Sequence, residues 1–194
     1  MHRFFEAWLD HFANDLIPGQ LAVDIGCGHG DDTRVLTDAG LRVVAFDLKR
    51  SNIQTAVATA PDARFVVADL RDGLPFRDHT FDLAVASLSL HYFDRDTTDR
   101  IVGDIHRILN PGATLLTRVN TVGDVASLWG VGTEIEPDFF EAEPGLFKRF
   151  FTEASLSEAL EPYFTITQLF PAPILVDGQR PKQTLVARAT HRDA

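Results

Sequence analysis

Between Leu21 and Asp32 the chain reads Leu-Ala-Val-Asp-Ile-Gly-Cys-Gly-His-Gly-Asp-Asp. A short apolar run breaks into glycines at alternate positions, Gly26, Gly28 and Gly30, and opens directly into a segment of helical spacing. Glycine supplies backbone angles closed to other residues and lets a ligand lie against bare backbone. This is therefore the layout of a strand feeding a tight loop beneath a nucleotide-like ligand. Asp47 follows 21 residues after Gly26, and a carboxylate there can accept from both hydroxyls of a ribose, which a lysine cannot. Asp69 can accept from an exocyclic amine such as that of adenine, with the Leu70 amide donating to a ring nitrogen. Its plainer reading is an Asx turn.

The glycine spacing selects among nucleotides. The dinucleotide fingerprint is G-x-G-x-x-G, with a pyrophosphate at the helix N-terminus. Here the third glycine comes one residue early, and Asp31 and Asp32 stand where pyrophosphate would arrive. Two carboxylates there repel phosphate but tolerate a ligand bearing an ammonium or sulfonium charge. Cys27 lacks the pairing that would support a thiolate, and His29 with Asp31 and Asp32 is a poor metal set, so no metal is expected. Ser87, Ser89 and His91 follow another apolar run, and Arg118 and Asn120 end a later one. His91 is the candidate base or acceptor-orienting group. Arg118 and Asn120 are candidate substrate contacts, Arg118 for an anionic acceptor or, equally, for an ion pair within the chain.

These groups need a frame. Residues 2–17 place Phe4, Phe5, Trp8, Leu9, Phe12, Leu16 and Ile17 at helical spacing, an amphipathic helix closed by Pro18-Gly19 that can cover a pocket mouth. Strands are predicted over 20–25, 41–47, 64–68, 81–88 and 113–119, with helices after about Asp31, near Ser51 and over about 97–109. Asp31 or Asp32, Ser51 and Asp96 are the respective caps. This alternation is that of an α/β, doubly wound, mostly parallel sheet with helices on both faces. Such sheets bind ligands outside the carboxyl ends of their strands, where Gly26–Gly30, Asp47, Asp69 and Ser87 all fall. The rhythm fails over 120–151, a stretch rich in glycine, acid and aromatics. It is expected to be a substrate-side cap with short helices of its own. Thr152 then caps a helix to about Leu160, and residues 163–170 and 183–189 close the fold as a hairpin. The whole of 1–194 reads as one domain, with 1–19 as its N-terminal capping helix.

Composition narrows the partners. The formal net charge of −10, from 18 basic and 28 acidic residues, repels polyphosphate, so no nucleic-acid partner is expected. No apolar run reaches the roughly 18 residues of a membrane span. A single cysteine leaves no disulfide framework and points to a reducing cytoplasm. Oligomeric state is open between monomer and homodimer.

The chain resembles the class I S-adenosylmethionine-dependent methyltransferases, particularly small bacterial ones. The resemblance rests on residues 23–30 (Val-Asp-Ile-Gly-Cys-Gly-His-Gly), Phe46-Asp47, Ala68-Asp69-Leu70, and residues 81–87 (Phe-Asp-Leu-Ala-Val-Ala-Ser). Leu90-His91-Tyr92-Phe93 and Arg107-Ile108-Leu109-Asn110-Pro111-Gly112 add to it, over roughly residues 20–120. It implies a Rossmann-like sheet of seven strands with the last antiparallel, S-adenosyl-L-methionine as cofactor, and methyl transfer to a small-molecule acceptor. By the same resemblance Asp24, Gly26 and Gly28 hold the cofactor's amino-acid moiety and Asp47 its ribose hydroxyls, with Leu48 a further cofactor contact. Asp69 and Leu70 then hold its adenine, and Ser87 lies beside its methionine part. Two other readings stand beside this one: a non-catalytic cofactor-binding module, and a nicotinamide oxidoreductase disfavoured by the glycine spacing.

Overall fold

The computed structural model describes residues 8–127, 132–176 and 180–192. Seven strands form one sheet: β1 (Leu21–Ile25), β2 (Arg42–Asp47), β3 (Arg64–Val67), β4 (Phe81–Ser87), β5 (Leu109–Asn120), β9 (Phe164–Pro171) and β12 (Thr184–His191). Their order is β3-β2-β1-β4-β5-β12-β9. The first five run parallel, and β12 runs antiparallel to both of its neighbours, β5 and β9. The final strand is thus the antiparallel one and is wedged inside the sheet, with β9 at the edge. The expected closing hairpin is present as β9 and β12, and a two-stranded ribbon, β10 (Ile174–Val176) and β11 (Arg180–Lys182), lies between them in sequence.

Strand periodicity sends alternate residues to two separate cores. On one face Val23, Ile25, Ala84, Ala86, Leu115, Leu185 and Ala187 meet α3 (Arg95–Ile108) and α4 (Glu153–Leu160) through Ile101, Ile105, Leu156 and Leu160. On the other, Ala22, Val43, Leu83, Val85, Leu116 and Val186 meet α1 (Asp31–Asp38), α2 (Arg50–Thr59) and the N-terminal segment through Leu36, Ala56, Trp8 and Phe12. The strand order reverses between β1 and β4, and the crevice outside their carboxyl ends is where such sheets receive ligands.

Several local expectations are corrected. The N-terminal element described is a 3₁₀ helix, Trp8–Asp15, interrupted at Phe12; Phe4 and Phe5 lie outside the described residues. The kink lets Trp8, Leu9 and Phe12 all turn inward. Gly30 and Lys49 occupy the cap positions of α1 and α2 without side-chain bonds, and Asp94 rather than Asp96 caps α3 by accepting from Thr97 N. Thr152 caps α4 as predicted, in a reciprocal pair with Ser155. β5 begins earlier than predicted because Asn110-Pro111-Gly112 is looped out of the ladder: Phe81 pairs with Leu109, and Leu83 next with Thr114. A proline cannot donate to a ladder, and here it lies in the irregularity.

The 120–151 insert holds no α-helix among its described residues. After a 3₁₀ turn it builds an antiparallel sheet of β6 (Thr133–Glu136), β7 (Phe139–Glu143) and β8 (Leu146–Arg149). Its aromatics pack on one another, Phe139 stacking on Phe147 at 5.5 Å and Phe140 meeting Phe150 edge-on at 5.7 Å. Within the insert Arg149 lies over the Phe139 ring and pairs with Glu136, and it ties the insert to the segment after β4 by donating from Nε to Phe93 O at 3.1 Å.

Candidate functional site

The three glycines do different work. Gly26 (φ +72°) lies against the turn after β4, and a Cβ there would stand 2.6 Å from Ser89 Cβ. Gly30 (φ +86°) starts α1 against Ala56, whose backbone a Cβ would meet at 3.0 Å. Gly28 (φ +55°) has nothing within 4 Å of a hypothetical Cβ, so its bare backbone faces open space. Its amide donates to Asp47 Oδ2 at 3.1 Å, tying loop to strand end. Asp47 Oδ1 accepts from Lys49 N at 2.8 Å and Asn52 Nδ2 at 3.0 Å. A carboxylate offers about four acceptor positions, so Oδ2 retains capacity on the crevice side. Leu48 and Tyr92 expose apolar surface at 55% and 45%, and the Tyr92 hydroxyl feels the Asp47 charge.

Asp24, beneath the loop on β1, is 1% exposed and accepts from Thr33 Oγ at 2.5 Å. Burial first, then the charges of Asp32 and Asp47, pushes its pKa up to about 8. Asp32, at the start of α1, is likewise raised by burial against the pull of Arg118. Three carboxyl groups therefore surround one loop. Cys27 is buried beside them, and its thiol is driven far above the ordinary range by burial and by Asp24 and Asp47, which leaves no thiolate.

Asp32 also belongs to a ring of four side chains that bridges the crevice. Trp8 Nε1 donates to its carboxylate at 3.0 and 3.1 Å, and the nearby Ser87 hydroxyl helps hold its pKa down. Arg118, opposite Ser87 in the β4–β5 register, donates to Ser87 Oγ from Nε at 3.2 Å and from its terminal nitrogen at 3.0 Å. The guanidinium lies 5.1 Å from the centre of the Trp8 ring, which closes the ring by a cation–π contact. Of the two roles open to Arg118, the structure shows the contact within the chain.

Asp69 makes an Asx turn. It accepts from Arg71 N at 2.9 Å and holds the Arg71 guanidinium at 2.6 Å, which lowers its pKa. Leu70 begins the short turn that follows and packs partly against the core. His29 is exposed on the loop. Among the described residues no three His, Cys, Asp or Glu side chains gather as a metal set. A cleft of about 320 Å³ opens near Asp15, Asp82 and Arg188, at the opposite ends of the strands. Its polar groups are engaged within the protein, Arg188 with Asp15 and Asp82 with Asn110 and Leu21 N.

Past β4, His91 is 2% exposed, and burial followed by the charges of Lys182 and Lys148 holds its pKa well below 6.5. It is a neutral imidazole tilted on Tyr92 at 4.3 Å, and its Nδ1 has no hydrogen-bond partner. Asn120 is 1% exposed at the end of β5, and its Oδ1 is also unpartnered.

A methyltransferase-domain family model matches residues 22–112. The chain is 34% identical over 110 residues to a methyltransferase of Synechocystis, covering 57% of this chain and 50% of that one. It is 29% identical over 128 residues to a malonyl-[acyl-carrier protein] O-methyltransferase of Pseudescherichia vulneris, covering 64% and 50% respectively. The chain thus spans about half the length of these curated relatives. A Methanosarcina mazei methyltransferase structure superimposes with a TM-score of 0.82 at 23% identity, over 97% of this chain and 99% of that one. These likenesses support a class I S-adenosylmethionine-dependent methyltransferase, with the methyltransferase-domain match lying over residues 22–112. The sheet order and its antiparallel final strand are those of this methyltransferase fold.

Four groups near the crevice were not singled out from sequence. Trp8, expected only as one of the apolar residues of the N-terminal helix, also bonds Asp32. Lys148 and Lys182 lie within electrostatic range of His91, and Asp124 takes the Gln183 amide at 2.9 Å. The sequence signal for Lys182 was weak: a lone cation immediately before an apolar strand.

Proposed function

We propose that this protein binds S-adenosyl-L-methionine at the β1–β4 crevice and transfers its methyl group to a small-molecule acceptor. One observation carries the cofactor choice: the carboxyl groups of Asp24, Asp32 and Asp47 surround the glycine loop. Acids so placed oppose a pyrophosphate and favour a ligand with ammonium and sulfonium charges. In this reading the open backbone of Gly28 and the Asp24 carboxylate receive the amino-acid end, with Gly26 letting the loop turn closely past Ser89. Asp47 accepts the ribose hydroxyls, with Leu48 and Tyr92 as apolar walls. Asp69 and Leu70 border the adenine, where the amine would share Asp69 with Arg71. Ser87 lies on the methionine side, holding Asp32 and Arg118 in place.

The bound cofactor supplies an activated methyl on a good leaving group, so the protein's task is mainly alignment. His91, neutral and with Nδ1 unpartnered, orients the acceptor by a hydrogen bond, and Asn120 presents its amide oxygen beside it. The 120–151 sheet covers that side and excludes water.

The test is thermal unfolding and calorimetry with S-adenosylhomocysteine. The ligand is expected to raise the melting temperature, and Asp47→Ala to abolish the rise. A wild-type protein unmoved at millimolar ligand overturns the proposal. A structure of a Burkholderia thailandensis 1,6-didemethyltoxoflavin-N1-methyltransferase contains S-adenosylhomocysteine; at 22% identity and a TM-score of 0.71 it supports the fold that this reading requires.

A further inference from the structure

Arg118 reaches the crevice from β5. Leu116 packs in the core shared with Trp8 and Leu36, and the strand's period of two turns Arg118 to that same face. There it is 5% exposed. A guanidinium stays charged throughout the working pH range, so burying one is costly unless partners hold it. Ser87 Oγ takes its Nε at 3.2 Å and a terminal nitrogen at 3.0 Å, and the centre of the Trp8 ring lies 5.1 Å away. Trp8 is in turn anchored, 3% exposed and bonded through its indole nitrogen to Asp32. The cation is therefore held in place rather than swinging at the end of a long side chain.

Its surroundings are those of the glycine loop. Ser87 ends the strand that pairs with β1, and Asp32 follows the loop within two residues of Gly30. Asp24 lies beneath, 1% exposed. A ligand with an α-amino acid end brings both signs of charge to this place. The carboxyl groups of Asp24 and Asp32 attract its ammonium and repel its carboxylate, and at their depth solvent screens that repulsion poorly. Binding such a ligand needs a cation acting on the same ground, and Arg118 acts on Asp32. A guanidinium is suited to the task. It is planar, its donors match the two oxygens of a carboxylate, and with five N–H groups it can share a carboxylate among the bonds it already makes.

Resting on the cofactor reading above, we propose that Arg118 determines specificity for the α-carboxylate of the cofactor, while Asp24 and Asp32 face its ammonium. The anion that Arg118 serves is then the cofactor's own rather than the methyl acceptor's. Ser87 and Trp8 are positioning residues for the guanidinium, and the N-terminal segment becomes a wall of the cofactor site.

Calorimetry on the full chain at neutral pH compares S-adenosylhomocysteine with its decarboxylated analogue, which keeps the amine. The wild type is expected to bind S-adenosylhomocysteine at least tenfold more tightly. Arg118→Met keeps an apolar stem against Trp8 and removes the charge. It is expected to weaken S-adenosylhomocysteine at least tenfold and to leave the cationic analogue unweakened, whereas a merely structural arginine would weaken both alike. Should Arg118→Met fail to fold, Arg118→Lys gives the comparison, with a preference for S-adenosylhomocysteine several-fold smaller than the wild type's. Equal binding of the two ligands by the wild type, or equal loss of both in the variant, would overturn the assignment. So would a variant that keeps the full preference, which would give the carboxylate to the amides at the start of α1. A wild type that binds neither ligand would instead overturn the cofactor reading.

Discussion

Asp24→Asn tests the electrostatics of the glycine loop most directly. An acid whose folded pKa is raised stabilises the fold fully below its unfolded pKa, and that contribution is lost as pH rises toward the folded value. For Asp24 the window runs from 3.8 to about 8. At 1.36 kcal/mol per pH unit, ionisation of the unfolded chain costs the native state about 4 kcal/mol between pH 5 and pH 8. That is a large share of the roughly 5–15 kcal/mol that holds a domain folded. Asparagine carries no charge at any of these pH values, and its amide oxygen can still accept from Thr33 Oγ. Ligand-free wild type and variant should therefore unfold at similar temperatures at pH 5, with the variant on the order of 10 °C more stable at pH 8. Other titrating groups are common to both proteins and drop out of the difference. Circular-dichroism melts at pH 5, 6, 7 and 8 make the measurement, and parallel curves would refute the reasoning. The same substitution should weaken S-adenosylhomocysteine binding at least tenfold, since an amide cannot neutralise an ammonium.

The glycines should separate by role. Gly26→Ala combines a left-handed backbone with the Ser89 clash and should cost about 3 kcal/mol by chemical denaturation, part of it regained with Ser89→Gly. Gly28→Ala meets no atom, so it should lose only the left-handed strain of about 1–2 kcal/mol while calorimetry shows a large fall in S-adenosylhomocysteine affinity; equal losses in both would contradict this division. Trp8→Phe removes the indole donor from a buried carboxyl and should cost about 1–3 kcal/mol, read by denaturant melts. Because His91 is held neutral by burial and by two lysines, the pH–rate profile should show no inflection near 6.5 that His91→Asn removes.

The glycine loop, the acid at the end of β2 and the five parallel strands were legible because each is written locally, in periodicity and in residues that tolerate unusual backbone angles. The closing hairpin was legible for the same reason. The 120–151 insert was not. Its strands are four or five residues long, Phe139-Phe140 breaks their alternation, and register shifts at both ladders blur the period further. The bond between Trp8 and Asp32 and the meeting of His91 with Lys148 and Lys182 are products of tertiary placement. No spacing rule joins an N-terminal aromatic to the start of α1. Arg118 was visible as a cation at a strand end, but its partner Ser87 is fixed only by the β4–β5 register.

The wedged position of β12 also governs how the protein is made. β9 is bonded to the sheet only through β12, yet it leaves the ribosome first. Until residues 184–191 emerge, β9 has a strand's exposed edges and no ladder to join, while β5 waits with one side open. Closing that gap demands contacts between residues far apart in the chain, which form slowly. Synthesis therefore holds a half-built sheet with sticky edges until its last strand arrives, and that interval is when this protein is most open to chaperones, proteases and misassociation.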